Sequence, residues 1–143
     1  MAKRYFPLDT LTKFTEDATL TASGVIQRFG SDVVLKLGAG RQDTSLVLDV
    51  EAIKTTAGNE RCVLVLQGCN NDSFTFAPIE NLAHIELGAS GARIGGARTS
   101  PDGRYALDVS NEQGGTEYTF VRLNAVLFGT APSIKLSAYL SER

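Results

Sequence analysis

The sequence predicts an antiparallel all-β sandwich of jelly-roll type, on three observations. Apolar and polar residues alternate with a period of two over several stretches, and turn-forming segments rich in Gly separate them at regular intervals. No long stretch carries the 3.6-residue period of an amphipathic helix, so seven or eight short strands remain to be closed into a sandwich or barrel.

The 143 residues fit one domain, spanning 1–143, with no internal repeat, low-complexity tract or linker. A chain of this length buries roughly 68–70% of its unfolded surface and builds a core without cross-links. Residues 1–15 read as an N-terminal arm, because Lys3-Arg4-Tyr5-Phe6-Pro7 places two cations and two aromatics before any strand pattern begins. Such an arm either docks on a partner, where Tyr and Arg bury well, or tucks over its own core.

Gly24 to Phe29 and Asp32 to Leu37 are short, noisy strand candidates. Thr44 to Ile53 alternates cleanly, with Leu46, Leu48, Val50 and Ala52 on one face and Asp49 and Glu51 on the other, the pattern of a half-buried strand. Turn chemistry over Thr56 to Glu60 then leads into a β-rich run from Arg61 to Leu66, so the two runs are expected to pair as a hairpin. Ser73-Phe-Thr-Phe76 adds a candidate strand with Phe74 and Phe76 on one face. Pro78 to Glu86 fits two readings, since Ile79, Leu82 and Ile85 have helical spacing whereas His84 and Glu86 alternate as in a strand.

Gly88 to Asp102 is a long loop dense in Gly, Ala, Arg and Ser, of the kind that carries function more often than short loops do. Beyond it Tyr105, Leu107 and Val109 alternate with Ala106 and Asp108, Asn111 to Gly115 turns the chain, and Glu117 to Leu127 forms another strand. After Gly129 to Pro132, Ile134, Leu136, Ala138 and Leu140 alternate with Lys135, Ser137 and Tyr139 in a last strand.

Fourteen basic against 16 acidic residues give a net charge of −2, which offers no field to draw nucleic acid or an anionic membrane. The longest apolar runs, such as Cys62 to Leu66, fall far short of the ~20 residues that span a bilayer. No cationic-then-apolar secretory signal opens the chain, so a soluble protein made in the cytoplasm is expected. Cys62 and Cys69 are seven apart, an odd separation that points them to opposite faces of one strand, and both are expected reduced. Two thiols and one His fall short of a closed zinc shell, and no metal or other cofactor is expected.

Catalytic motifs compete poorly with ordinary structural readings. Gly88-Ala-Ser-Gly-Ala-Arg-Ile-Gly-Gly96 is Gly-rich enough to wrap an anion, but Ala97-Arg-Thr-Ser-Pro101 leads into another turn in place of a helix. The loop reads better as an exposed segment whose Arg93 and Arg98 meet solvent or a partner's carboxylates. His84, the sole histidine, lacks the context of a triad. Scattered carboxylates such as Asp17, Asp49 and Asp108 are what turns and solvent-facing strand positions produce, although a glycosidase pair assembles only in three dimensions. Few aromatics and no Trp argue against a sugar platform, and no enzyme activity is expected.

Several segments, in this order, resemble the jelly-roll capsid cement (decoration) proteins of short-tailed bacteriophages. They are Pro7-Leu-Asp-Thr-Leu-Thr-Lys-Phe14, Asp17-Ala-Thr-Leu-Thr-Ala-Ser23, Leu46-Val-Leu-Asp-Val-Glu-Ala52, Val63-Leu-Val-Leu-Gln67 and Asn71-Asp-Ser-Phe-Thr75. Tyr118-Thr-Phe-Val-Arg-Leu123, Gly129 and Ile134 to Leu140 are similar to the family's closing hairpin. The likeness covers most of the chain and rests on strand patterns, while the Gly88 to Asp102 loop has no counterpart in it. It implies a virion protein on the outer capsid surface that bridges neighbouring copies of the major capsid protein, as a homodimer or alternatively a homotrimer. Arg4, Tyr5, Phe6, Arg93 and Arg98 are the expected capsid or partner contacts. A carbohydrate- or receptor-binding β-sandwich module of a phage tail or fibre is the alternative.

Overall fold

The computed structural model describes residues 13–37, 40–89 and 99–142. The N-terminal third contains β1 (Lys13–Leu20), β2 (Gly24–Val25), β3 (Gln27–Arg28), β4 (Ser31–Asp32) and β5 (Leu35–Lys36). The long strands of the middle are β6 (Asp43–Ile53), β7 (Arg61–Cys69) and β8 (Glu80–Gly88). Then come β9 (Gly103–Ser110), β10 (Glu112–Gln113), β11 (Thr116–Glu117), β12 (Phe120–Phe128) and β13 (Ile134–Glu142).

Two antiparallel sheets pack face to face. One has the order β1-β13-β6-β9; the other has β2-β12-β7-β8, with β5 also pairing with β12. Between them lie Phe14, Leu46, Leu48, Leu136 and Leu140 from the first sheet, against Leu64, Leu66, Val121 and Leu123 from the second, all essentially without solvent contact. Burial of such side chains contributes roughly 1.5–3 kcal/mol each and is the main stabilising term.

The strands pair differently from the sequence expectation. Thr44 to Ile53 and Arg61 to Leu66 are strands, but they belong to opposite sheets and form no hairpin. The segment between them crosses an edge of the sandwich, closed by the Glu60 carboxylate, which accepts the Ala57 N–H at 3.1 Å. Likewise Tyr105 to Val109 and the strand after Glu117 lie in different sheets, linked through the small β10–β11 hairpin, and the expected closing hairpin is absent because β12 and Ile134 to Leu140 of β13 also belong to opposite sheets.

Two bulges account for the misassigned face of Ala52 and for the helical spacing in Pro78 to Glu86. Along β6 and β13 the register slips between Lys135–Ala52 and Leu136–Val50, passing over Glu51. The alternation is thereby re-phased, so Ala52 is exposed and Ile53 packs against the core. In β8 the register skips Leu82, between Ala83 opposite Leu66 and Asn81 opposite Gln67. Leu82 and Ile85 therefore both pack on the core at a three-residue separation, the spacing that read as a helical turn. The segment is a strand.

Ser73 to Phe76 is not a strand: Phe74 is buried while Phe76 is fully exposed, so the two rings do not share a face. The lone hydrogen bonds of this segment are local turns, which left-handed backbone at both phenylalanines makes incompatible with a ladder.

Candidate contact surface

Of the expected contact residues, Arg4, Tyr5, Phe6, Arg93 and Arg98 lie outside the described residues, as does most of the N-terminal arm. Lys13 to Thr15, at the arm's end, already belong to β1. The flanks of the Gly88 to Asp102 loop are firmly held. Gly88 N–H donates to Ser100 Oγ at 3.1 Å, Ser100 N–H to Gly88 O at 2.9 Å, and Ile53 N–H to Asp102 Oδ1 at 3.1 Å.

The residues considered for chemistry have structural surroundings. His84 is exposed on the outer side of β8, opposite Val65. Asp49 takes two hydrogen bonds from Arg104, at 2.6 and 3.0 Å, and this bond is the chief reason the Arg104 guanidinium sits above its ordinary value. Asp108 accepts from Ser45 at 3.0 Å, and Asp17 N–H donates to Ser137 at 3.0 Å. Cys62 faces the core, whereas Cys69, also buried, lies on the other face and donates its thiol to Ala77 O at 3.8 Å; both are free. Burial pushes the Cys62 thiol up to about 12.

The exposed features that stand apart are two phenylalanines in left-handed backbone. The first heads a hairpin. Arg28 pairs with Ser31, leaving Phe29 and Gly30 as a two-residue turn with φ of 55° and 79°. This is a type I′ geometry, normally occupied by Asn-Gly because both positions need positive φ. A bulky residue there is an outlier. Phe29 is nevertheless 94% exposed, with the Arg28 guanidinium 5.0 Å from its ring centroid. The hairpin is braced by Gln27 Nε2 donating to Asp32 at 2.9 Å, Thr15 Oγ1 donating to Gln27 O at 3.1 Å, and Ile26, which is buried next to it.

The second tip is the connection from β7 to β8. Phe74 (φ 54°) turns its ring inward beneath Arg122, whose guanidinium lies 4.3 Å from the centroid and whose Nε donates to Gln67 at 2.9 Å. Asn71 accepts the Ser73 N–H at 2.9 Å and, through its carbonyl, the Phe74 N–H at 3.1 Å. Asn70 accepts the Thr119 N–H at 3.0 Å and ties the connection to the start of β12. From this braced base Phe76 (φ 56°) projects fully into solvent, with Pro78 and Ile79 exposed beside it.

Asn111 joins the neighbouring turns to the same end of the sandwich. Its side chain is buried, donates to Gly40 O and Tyr118 O at 3.0 Å each, and accepts the Gln42 N–H at 2.7 Å.

Left-handed backbone at a non-glycine residue costs of order 1–3 kcal/mol and persists where the surroundings over-determine it, commonly at functional sites. Phe74 has a packing reason for its conformation; Phe29 and Phe76 bury nothing within the described residues. Aromatic anchors held in place before binding are what dominate protein interfaces. Sequence reasoning passed over both tips, although Phe29-Gly30 between the polar pairs Gln27-Arg28 and Ser31-Asp32 was a readable two-residue turn. In comparisons with known proteins, no family model and no curated protein matches the chain.

Proposed function

We propose that the protein is a binding protein without catalytic chemistry, a cement protein that attaches to the outer surface of an icosahedral phage capsid and bridges neighbouring major capsid protein subunits. The observation that carries this reading is the pair of braced, solvent-projecting phenylalanines, which are built as contacts and offer no reacting group. The strand order supports a jelly roll. Taking β2 to β5 as one broken strand and setting aside the β10–β11 hairpin, the eight principal strands run 1-8-3-6 opposite 2-7-4-5. Jelly rolls of two such sheets are frequent in viral capsid proteins. The sequence resemblance to cement proteins points the same way.

Repetition does the work in such a role. Many identical contacts on a lattice add through multivalency, so each copy needs only moderate affinity, and a homodimer or homotrimer matches symmetric lattice points. Co-sedimentation of the purified protein with mature capsids stripped of it tests the proposal. Saturation at a fixed ratio to the major capsid protein is the expected result. Background binding at all concentrations overturns it and turns attention to the tail or fibre module, for which a glycan array is the next assay.

A further inference from the structure

We propose that the end of the sandwich carrying Phe76 is the docking end, and that it fits an apolar pocket rimmed by lysine or arginine on a protein partner. The inference rests on the cement reading and adds which surface binds and the chemistry of what it binds.

The apolar part is small and continuous. Phe76, Pro78 and Ile79 are exposed within four residues, on a connection whose base is fixed by the Phe74–Arg122 stack and the Asn70–Thr119 hydrogen bond. A ring presented in one place from a braced base loses little freedom on binding, which favours a hot-spot role.

The surroundings of that tip are acidic. Asp72 and Glu80 flank it on its own connection and on β8. The β10–β11 hairpin, which contacts β8, adds Glu112 and Glu117. Of the cations nearby, Arg41 is engaged by Asp43 at 3.0 Å and by Glu112 at 3.9 Å, and Arg122 stacks on Phe74. Lys36, at the end of β5 opposite Phe120, is exposed. An apolar knob within a predominantly negative rim is complementary to an apolar pocket with a positive rim. Charges so placed steer encounter and reject like-charged surfaces.

Stripped capsids are the probe, with occupancy measured by co-sedimentation at low and high salt. Phe76→Ser is expected to weaken binding roughly 30-fold, the scale of a lost interface hot spot. Asp72→Lys with Glu117→Lys is expected to weaken it further at low salt and to lose that extra effect at high salt. His84→Ala, on the outer side of β8, serves as the control with unchanged occupancy. All three variants alter exposed side chains, and melting curves matching the wild-type protein check their folding.

Wild-type saturation with unchanged binding by Phe76→Ser overturns the docking end and leaves the cement reading standing. Tighter binding by the charge-reversed protein overturns the basic rim. Failure of the wild-type protein itself to bind overturns both. Loss of self-association by Phe76→Ser in sedimentation velocity, with capsid binding retained, assigns the tip to a second copy of this chain and overturns the inference.

Discussion

Phe29→Asn is expected to make the protein more stable. The backbone at Phe29 has φ of 55° in a type I′ turn. For an L-residue with a bulky side chain this conformation costs roughly 1–2 kcal/mol, whereas Asn adopts it readily through local hydrogen bonding. The ring is 94% exposed, so its removal forfeits no core burial. What it does forfeit is the contact with Arg28 at 5.0 Å, which at an exposed site is worth about 0.5–1 kcal/mol. The balance is a gain of about 0.5–1 kcal/mol, or a rise in Tm of about 2–4 °C for a domain of this size. Thermal melts followed by circular dichroism measure it, with Phe29→Ala beside it. Alanine keeps the Cβ that makes the conformation costly and loses the ring, so its Tm should not rise. A fall in Tm for Phe29→Asn refutes the reasoning, and so does an equal rise for Phe29→Ala, because the effect would then belong to the ring and not to the backbone.

Three further outcomes follow from the structure. Gly88→Ala should lower the urea midpoint strongly, because a Cβ at that position would stand 2.4 Å from the Glu60 carbonyl oxygen at a φ of +145°; a midpoint within error of wild type contradicts this. Cys62 and Cys69 should resist an aromatic disulfide reagent at neutral pH in the folded protein and react fully in denaturant, since both are buried and the Cys62 thiol is pushed up to about 12; rapid reaction before unfolding contradicts this. Burial by itself would raise the Glu60 carboxyl, but the backbone N–H groups of Ala57, Glu60 and Gly58, with the charge of Lys54, outweigh it and hold the group below its ordinary value of 4.5. A carboxyl so lowered contributes stability that is complete above pH 4.5 and is lost as pH falls through the folded-state value. Urea titrations across that range should therefore show an acid limb that is shallower in Glu60→Gln.

The strands legible in the sequence are those whose core-facing residues recur at every second position. β13 is the clearest, with Ile134, Leu136, Ala138 and Leu140 buried as their alternation implied. In β6 Leu46, Leu48 and Val50 face the core as expected, Ser45 and Val47 on the other face are buried as well, and at the bulge one residue without a partner reverses the faces of Ala52 and Ile53. A bulge leaves no mark on composition, and in β8 it makes two core-facing residues three apart look helical. Strand partnership was less legible still. The turn residues between β6 and β7 are those of a hairpin as much as of a sheet-to-sheet crossing, and only the packing of both apolar faces on one core separates the two. The tips were hidden for a different reason: an exposed phenylalanine with positive φ contradicts both hydropathy and turn propensity, and pattern reading assigns any Phe to a strand or a core. Local rules of this kind fail where a position serves something other than folding.

The two tips also show how a fold can carry strained residues without becoming fragile. Phe29 and Phe76 lie at opposite kinds of site, a two-residue hairpin turn and a longer connection, yet each is bounded by hydrogen bonds into a strand and by a buried neighbour, Ile26 in one case and Phe74 in the other. The strain is confined to the tips because the core is formed mainly by residues of the long strands, joined by Ile26 and Leu35, and neither phenylalanine belongs to it. Replacing either phenylalanine by Asn would ease the backbone at no loss of burial. Under the cement role proposed above, a fixed aromatic contact at every copy of a repeated layer would multiply a modest gain in affinity into retention of the layer.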